Sequence, residues 1–584
     1  MVISSLRNSL KLIKLPQFVA SIREKSTTAS ELSYFHNNGS QPLIYRTIGQ
    51  ELRRVASEYG DLEAIVAPEE QKRLTFDQIR TEADNLAAGF IDLGLQRGDR
   101  VALLAPNVIS WPIIFFAAAR AGLILVALNP AFEPSELEYC LQKVGVKALV
   151  TSEIFRNRPF YEILQQILPE LQESSFGKLS CEKIPSLTHV IMDTRCDLRG
   201  VLKLSDVASR ASTDRVEKIE SIQNTISPDS GCSILFSSGT TGRPKAALLK
   251  HLAFINNGAK VGRNMKVFKK RICVPTPFFH VYGAITSITL GLMNQATIVL
   301  PSPVYNVEKT LLTIRDHNCS VIYGTPTMHI DLVRKQREMK LDVKVDLALV
   351  GGALCPPQVM EDLTNVLGVK VTRNVYGTTE NSSVSFGKYK DGEVLDDKES
   401  VGQVHDHVEA KVVDQEGNMV PFGDPGELCV RGYFTMIRYW GDEEKTKEIL
   451  GHDGWLKTGD QFILQPNGYG KVVGRLKDMI IRGGENVFPK EIENLLATSP
   501  KIAEVYIVGV PDERLGEELC AFVKLRDGNL SYTIDELKEF CRGKIAYFKI
   551  PRYLRIIEEF PKTVSGKIQK FKLQEQFKVD CSGK

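Results

Sequence analysis

The sequence contains no C-x-x-C pair and no His/Cys ligand cluster among its 11 cysteines, which disfavours a zinc site and a disulfide framework alike. A reducing compartment is the simplest reading. No uninterrupted apolar run is long enough to cross a bilayer: the greasiest stretch, WPIIFFAAARAGLILVALNP, is broken by Arg120 and flanked by Pro112 and Pro130. It reads as a buried helix running into a strand. There is also no basic excess to offer a nucleic acid. Of the formal charge of +3, residues 1–30 supply Arg7, Lys11, Lys14, Arg23 and Lys25 against Glu24, a net +4, so the remainder carries −1. With no recognition motif either, nucleic acid is excluded as a partner and any phosphate binding must be local. Internal repeats and low-complexity tracts are missing as well. What remains is an ordinary globular composition, 43% apolar and 25% charged, spread over 584 residues. That length exceeds one hydrophobic core and points to two or more domains.

Residues 1–30 are Ser-rich and almost free of acid. Leu6, Leu10 and Ile13 share one helical face, with Arg7, Lys11 and Lys14 beside it. This is the pattern of a mitochondrial transit peptide, with a matrix address as its consequence. The competing reading is an ordinary frayed N-terminus.

From LTFDQIRTEADNLAAGFIDLGL through DRVALLAP to VKALVTSE, amphipathic helical windows alternate with short apolar strands. That rhythm predicts a layered α/β domain. After VVGRLKDMIIRGGENVFP the pattern changes, and AEVYIVGV, ELCAFVKL, TIDELKEFCRGKI and RYLRIIEEF predict a small α+β unit. The boundary is expected near Leu476 and Lys477, giving a large domain over 45–476 and a small one over 477–584.

The segment SSGTTGRPK, Ser237 to Lys245, has the chemistry of a phosphate cradle without the order of a Walker A loop. There, two glycines five apart precede Lys and Ser/Thr directly. Here Gly239 and Gly242 bracket Thr240 and Thr241, and Lys245 arrives only after Arg243 and Pro244. The preceding CSILFS reads as a buried strand. The loop therefore leaves a sheet and exposes hydroxyls, backbone N–H groups and two cations together.

Four more segments carry chemistry. NVYGTTE, Asn374 to Glu380, offers an aromatic face, a glycine for close backbone approach, two hydroxyls and a carboxylate, which suits a stacked base and a metal beside phosphate. GWLKTGD, ending at Asp460, and GRLKD, with Arg475, place a carboxylate and a guanidinium at strand ends, Asp460 in a polar turn, where they could grip a ribose diol. Either one alone reads as a surface ion pair. PKTVSGKIQK sets Lys567 just after a Ser-Gly turn, from which the ammonium could project into a cleft.

Together and in this order these motifs resemble the adenylate-forming superfamily of acyl-CoA synthetases, luciferases and peptide-synthetase adenylation domains, over about residues 45 to 575. GTPTM, GELCVRGY, MIIRGGENVFP and SGKIQKFKLQEQ are similar to the mitochondrial medium-chain acyl-CoA synthetases. Ala246 departs from the family's first motif, which usually ends in glycine. The resemblance implies the adenylate-forming fold: a large layered α/β domain followed by a small, mobile α+β domain. It implies ATP, coenzyme A and Mg²⁺, and a fatty carboxylate converted first to acyl-AMP and then to acyl-CoA. By position, Ser237, Ser238, Gly239, Thr240, Thr241, Gly242, Arg243, Pro244 and Lys245 would hold the β and γ phosphates. Gly352, Ala353, Tyr376, Gly377 and Thr378 would line the adenine pocket, Glu380 would bind Mg²⁺, and Asp460 and Arg475 would hold the ribose. Lys567 would bridge the substrate carboxylate and the α-phosphate. Lys477 matches the hinge, and Arg482, Gly483, Gly484, Glu485 and Asn486 would face CoA.

PFFHVYG and YGTPT match the acyl-pocket walls, where His280 either gates the carboxylate or packs as a core histidine. Phe279, His280, Val281 and Tyr282 include no carboxylate to bind an α-amine, so an apolar acid is favoured over an amino acid. The alternatives are an aryl-CoA ligase and a catalytically silent nucleotide-binding regulator. Retention of Lys567, Asp460, Arg475 and Glu380 together weighs against the second.

Overall fold

The computed structural model describes residues 31–175, 179–237, 244–353, 355–389, 398–482, 485–512, 515–528, 531–542, 544–545, 547–563 and 566–582. The expected leader, 1–30, lies outside them. Among the described residues, three large sheets precede a smaller one. The first is eight-stranded. Its central strands Arg100–Leu104, Ile124–Leu128, Ala148–Ser152 and His189–Asp193 run parallel and are fed by amphipathic helices, as the alternating pattern predicts. The second, seven-stranded sheet carries the parallel strands Arg271–Cys273, Val321–Gly324, Leu347–Val350 and Val371–Asn374. The third is an antiparallel sheet that includes Val408–Val413, Pro425–Gly432, Leu456–Leu464 and Tyr469–Arg475.

Sequence grammar explains the local structure. Helix Phe76–Asp92 opens with a capping box in which Thr75 and Gln78 satisfy each other's backbone N–H. The greasy stretch forms the buried helix Ser110–Ala121 and then the strand Ile124–Leu128. Arg120 is fully buried there, and its guanidinium is neutralised by Asp84 at 2.6 Å and Glu220 at 2.5 Å. Removing either carboxylate would strip the buried guanidinium of one of its two charge partners. No helix among the described residues is long and apolar enough to cross a membrane.

The small unit has its own core, with Ile480, Ile492, Leu496, Ile507, Leu519 and Leu537 buried together. Its sheet pairs Ile502–Asp512 with Gly516–Leu525 antiparallel, and adds Tyr553–Ile556 in parallel. Helix Pro489–Ala497 faces back toward the large domain, where Asn494 Nδ2 donates to Glu399 Oε1 at 2.5 Å.

Candidate active site

The strands flanking the Ser/Thr/Gly segment, Gly231–Ser237 and Lys245–Lys250, pair antiparallel with Ser237 opposite Lys245. The segment is therefore the connection of a hairpin, and no helix N-terminus follows it directly as in a Walker A loop. Ser238, Gly239, Thr240, Thr241, Gly242 and Arg243 lie outside the described residues. Both ends of the loop are anchored. Ser237 Oγ donates to Glu380 Oε1 at 2.8 Å, and the Lys245 ammonium lies 5.1 Å above the Tyr439 ring. Tyr439 donates its hydroxyl to the same Glu380 oxygen at 2.7 Å. Three sequence-distant motifs thus converge on one carboxylate.

Glu380 is held by a tightly wound loop. A Cβ on Gly377 would lie 1.6 Å from the Ser383 carbonyl oxygen, so only glycine lets the chain fold back here. Ser382 and Ser383 take left-handed φ values of 53° and 87°. Asn381 accepts from the Thr378 N–H at 2.7 Å, and the Met436 N–H donates to the Glu380 carbonyl at 2.8 Å. Gly352, at φ 82°, and Ala353 follow the parallel strand Leu347–Val350, whose neighbour Val371–Asn374 leads into Tyr376. Both segments leave the carboxyl ends of adjacent parallel strands, where ligand crevices of α/β sheets lie.

Asp460 and Arg475 are directly opposed across Leu456–Leu464 and Tyr469–Arg475, with Arg475 Nε 3.0 Å from Asp460 Oδ1. Tyr376 donates to Asp460 Oδ2 at 2.7 Å. This corrects one expectation. Asp460 lies inside a nine-residue strand rather than a polar turn, and is only 4% exposed. The period-2 signal of LKTGDQFIL is masked by its Gly and Thr residues. Burial raises the Asp460 pKa, while Arg475, the Tyr376 hydrogen bond and Lys567 oppose the rise. Asp460 in turn raises the pKa of Arg475.

Lys567 arrives on a turn in which the Thr563 N–H donates to the Lys567 carbonyl at 2.7 Å and Gly566 takes φ 79°. The turn rests on the large domain through Thr327, whose hydroxyl donates to the Gly566 carbonyl at 3.4 Å. Thr325 beside it caps helix Pro326–Met339. His280 caps the short helix Val281–Gly283, and its Nδ1 accepts from the Tyr282 N–H at 3.2 Å. Burial, with the charge of Lys567 added, holds His280 down to about 3, so it is neutral at physiological pH. Phe279, Val281 and Tyr282 beside it are apolar or aromatic, while Thr325 and Thr327 in YGTPT are polar. Tyr282 is buried 6.3 Å, ring to ring, from Tyr323, and its hydroxyl is bound by the Leu349 carbonyl at 3.2 Å.

Of the RGGEN segment, only Arg482 has a described side chain. Arg482 is paired with Glu518 at 2.7 Å inside the small domain, and its strand Ile480–Arg482 forms a hairpin with Glu485–Val487. Gly483 and Gly484 lie outside the described residues, as do the side chains of Glu485 and Asn486. Two contacts were missed by sequence reasoning. Tyr439 in IRYWGDEE reads as a core aromatic, and Thr327 in GTPTM reads as helix-start grammar; neither carries a local signal of its partner.

The fold and this cluster define a class of nucleotide-dependent ligase, and comparison with known proteins agrees. The AMP-binding enzyme family matches residues 52–440, and the AMP-binding enzyme C-terminal domain matches residues 491–567. The chain belongs to the AMP-binding enzyme family, in its acyl-CoA ligase superfamily. It is 41% identical over 93% of its length to 89% of the mitochondrial medium-chain acyl-CoA ligase ACSF2 of Macaca fascicularis. Against the human protein of that name the identity is 40%, over 95% of this chain and 91% of the relative. Among solved structures, the anthranilate CoA ligase AuaEII in complex with anthranoyl-AMP superposes with a TM-score of 0.81 at 25% identity, covering 93% of this chain and 99% of that one.

Proposed function

We propose that the protein is an AMP-forming ligase that joins a medium-chain fatty acid to coenzyme A. In the first step the carboxylate attacks the α-phosphorus of ATP, forming acyl-AMP as pyrophosphate leaves. In the second, the CoA thiol attacks the acyl carbonyl and AMP leaves. The observation that carries this reading is the seat of the Lys567 turn, whose Gly566 carbonyl accepts from Thr327 in GTPTM. The Lys567 charge also favours neutral His280, in the acyl wall, and ionised Asp460, on the nucleotide side. A cation between those two walls is where a carboxylate and an α-phosphate would be brought together against their mutual repulsion.

Around that point, Tyr376, Asp460 and Arg475 offer a ribose grip, and the hairpin from Ser237 to Lys245 would take the β and γ phosphates. Glu380 has the chemistry to hold Mg²⁺: Oε1 accepts two hydrogen bonds, and Oε2 accepts none from the described residues. A divalent cation there would neutralise phosphate charge. The wall, without a carboxylate at 279–282, favours an uncharged acyl chain. The medium-chain assignment rests on relatives at 40–41% identity. We assign Lys477 as the hinge and the RGGEN segment to CoA after a turn of the small domain. The cationic leader, together with the mitochondrial label of those relatives, supports import into the matrix.

ATP–pyrophosphate exchange across saturated acids of graded length and a set of aryl acids tests the reading. Exchange peaking with medium chains is expected. A peak with aryl acids would replace the acyl assignment, and no exchange with any acid would overturn the reading.

A further inference from the structure

We propose that Tyr439 is a positioning residue for adenylation, fixing the Glu380 carboxylate through its hydroxyl and the Lys245 ammonium through its ring. This rests on the reading of the site given above. The hydroxyl donates to Glu380 Oε1 at 2.7 Å, beside the Ser237 hydroxyl at 2.8 Å on the same oxygen. Two donors on Oε1 orient the carboxylate and leave Oε2 for a cation. The ring lies 5.1 Å from Lys245 Nζ, within cation–π range.

The residue is itself immobilised. It is 2% exposed, pairs with Ala247 in an antiparallel ladder, and its N–H donates to Thr446 Oγ1 at 3.0 Å. Trp440 N–H donates to the Ala246 carbonyl at 2.7 Å. The strand that carries Lys245 is thus bonded directly to the segment that carries Tyr439. Here the hydroxyl orients the carboxylate that Ser237 also binds, while the ring carries Lys245.

The test uses full-length Tyr439→Phe and Tyr439→Leu. ATP binding is measured calorimetrically over a series of MgCl₂ concentrations, and each half-reaction is followed in single turnovers. Tyr439→Phe should keep the parent melting temperature and require more MgCl₂ for half-maximal ATP binding. It should form acyl-AMP about 10- to 100-fold more slowly, the range for a hydrogen bond to a charged group. Thioester formation from supplied acyl-AMP should be unchanged. Tyr439→Leu, which also removes the ring, should lose more of the adenylation rate. A parent-like rate and MgCl₂ requirement in Tyr439→Phe would overturn the proposal, as would an equal fall in both half-reactions. Lack of pyrophosphate exchange by the parent overturns the ligase reading alone, because ATP binding still compares parent and variant. Absence of ATP binding by the parent overturns both.

Discussion

The two halves of the site are built to different standards of rigidity. On the proposed nucleotide side, Glu380 is bonded to Ser237 and Tyr439, and Asp460 to Tyr376, by side-chain hydrogen bonds of 2.7–2.8 Å, and Asp460 and Tyr439 are nearly inaccessible. On the other side, the turn bearing Lys567 meets the large domain through a 3.4 Å bond from Thr327. A second link, from Asn494 to Glu399, lies at a different part of the interface. A group that must keep its place through both half-reactions belongs on the first kind of support. A charge needed in only one of them belongs on the second, a turn of a separate domain that can carry it in and out.

The largest expected effect breaks this comparison at Lys567. Lys567→Ala should slow acyl-AMP formation by about 10²–10³-fold, the scale of one preorganised charge donor. CoA attack on supplied acyl-AMP should remain near the parent rate. Single-turnover kinetics of the two steps check this, and equal losses would mean that Lys567 supports the site as a whole.

Next comes the fixed half. Asp460→Ala should weaken ATP binding by about 1.5–3 kcal/mol, the range for charge-assisted hydrogen bonds. Because the carboxylate also receives Arg475 and the Tyr376 hydroxyl inside a sheet, the melting temperature should fall as well. Tyr376→Phe, which removes one donor and keeps the ring, should show the smaller loss of both. Calorimetric ATP titration beside thermal unfolding separates the two effects.

The difference between the halves also marks what could be read from the sequence. The motifs identify the residues that converge, because local turn grammar and strand patterning act over a few positions. Gly377 is legible as a close-approach glycine for that reason, although the group that approaches it is the Ser383 carbonyl of the chain itself and not a ligand. What joins the motifs is not local: Tyr439 and Glu380 are 59 positions apart, and Thr327 and Gly566 are 239 apart. The sequence places Asp460 in a turn because a Thr-Gly pair outweighs strand periodicity in a short window, whereas its register opposite Arg475 decides the matter in the folded sheet.

A smaller effect is expected at the second interdomain link. Asn494→Ala removes the donor to Glu399, while Glu399 keeps its ion pair with Lys471. Losing one such bond is worth about 0.5–1.5 kcal/mol, so the balance between small-domain positions should shift by a few-fold. The variant should adenylate somewhat more slowly and form thioester from supplied acyl-AMP no more slowly than the parent. Slowing of the thioester step alone would show that the contact does not favour the arrangement described here.

The smallest effect is that of Lys567→Ala on acid stability, and it too separates the two halves. Burial holds His251, His280 and His405 down to about 3 and His329 to about 4, against an ordinary value of 6.5. Each takes up its proton on unfolding but not in the folded chain between those limits. The unfolded state therefore binds more protons, and stability should fall as pH drops from 6.5 toward 3. Above pH 7 the four histidines should contribute no slope. His405 lies within the large domain, with Nδ1 against Asn264 Nδ2 at 3.2 Å, so His405→Gln should flatten the fall in melting temperature whatever the small domain does. His280 differs because Lys567 adds to its burial. Lys567→Ala should therefore return part of the His280 shift and flatten the same curve slightly, while leaving the contribution of His405 intact. Melting temperatures of the parent, the two single variants and the double variant between pH 7.5 and 5 test this. Additive flattening supports two independent histidines, one of which senses the small domain. An acid slope unchanged by Lys567→Ala would place that ammonium too far from His280 to act on the acyl wall.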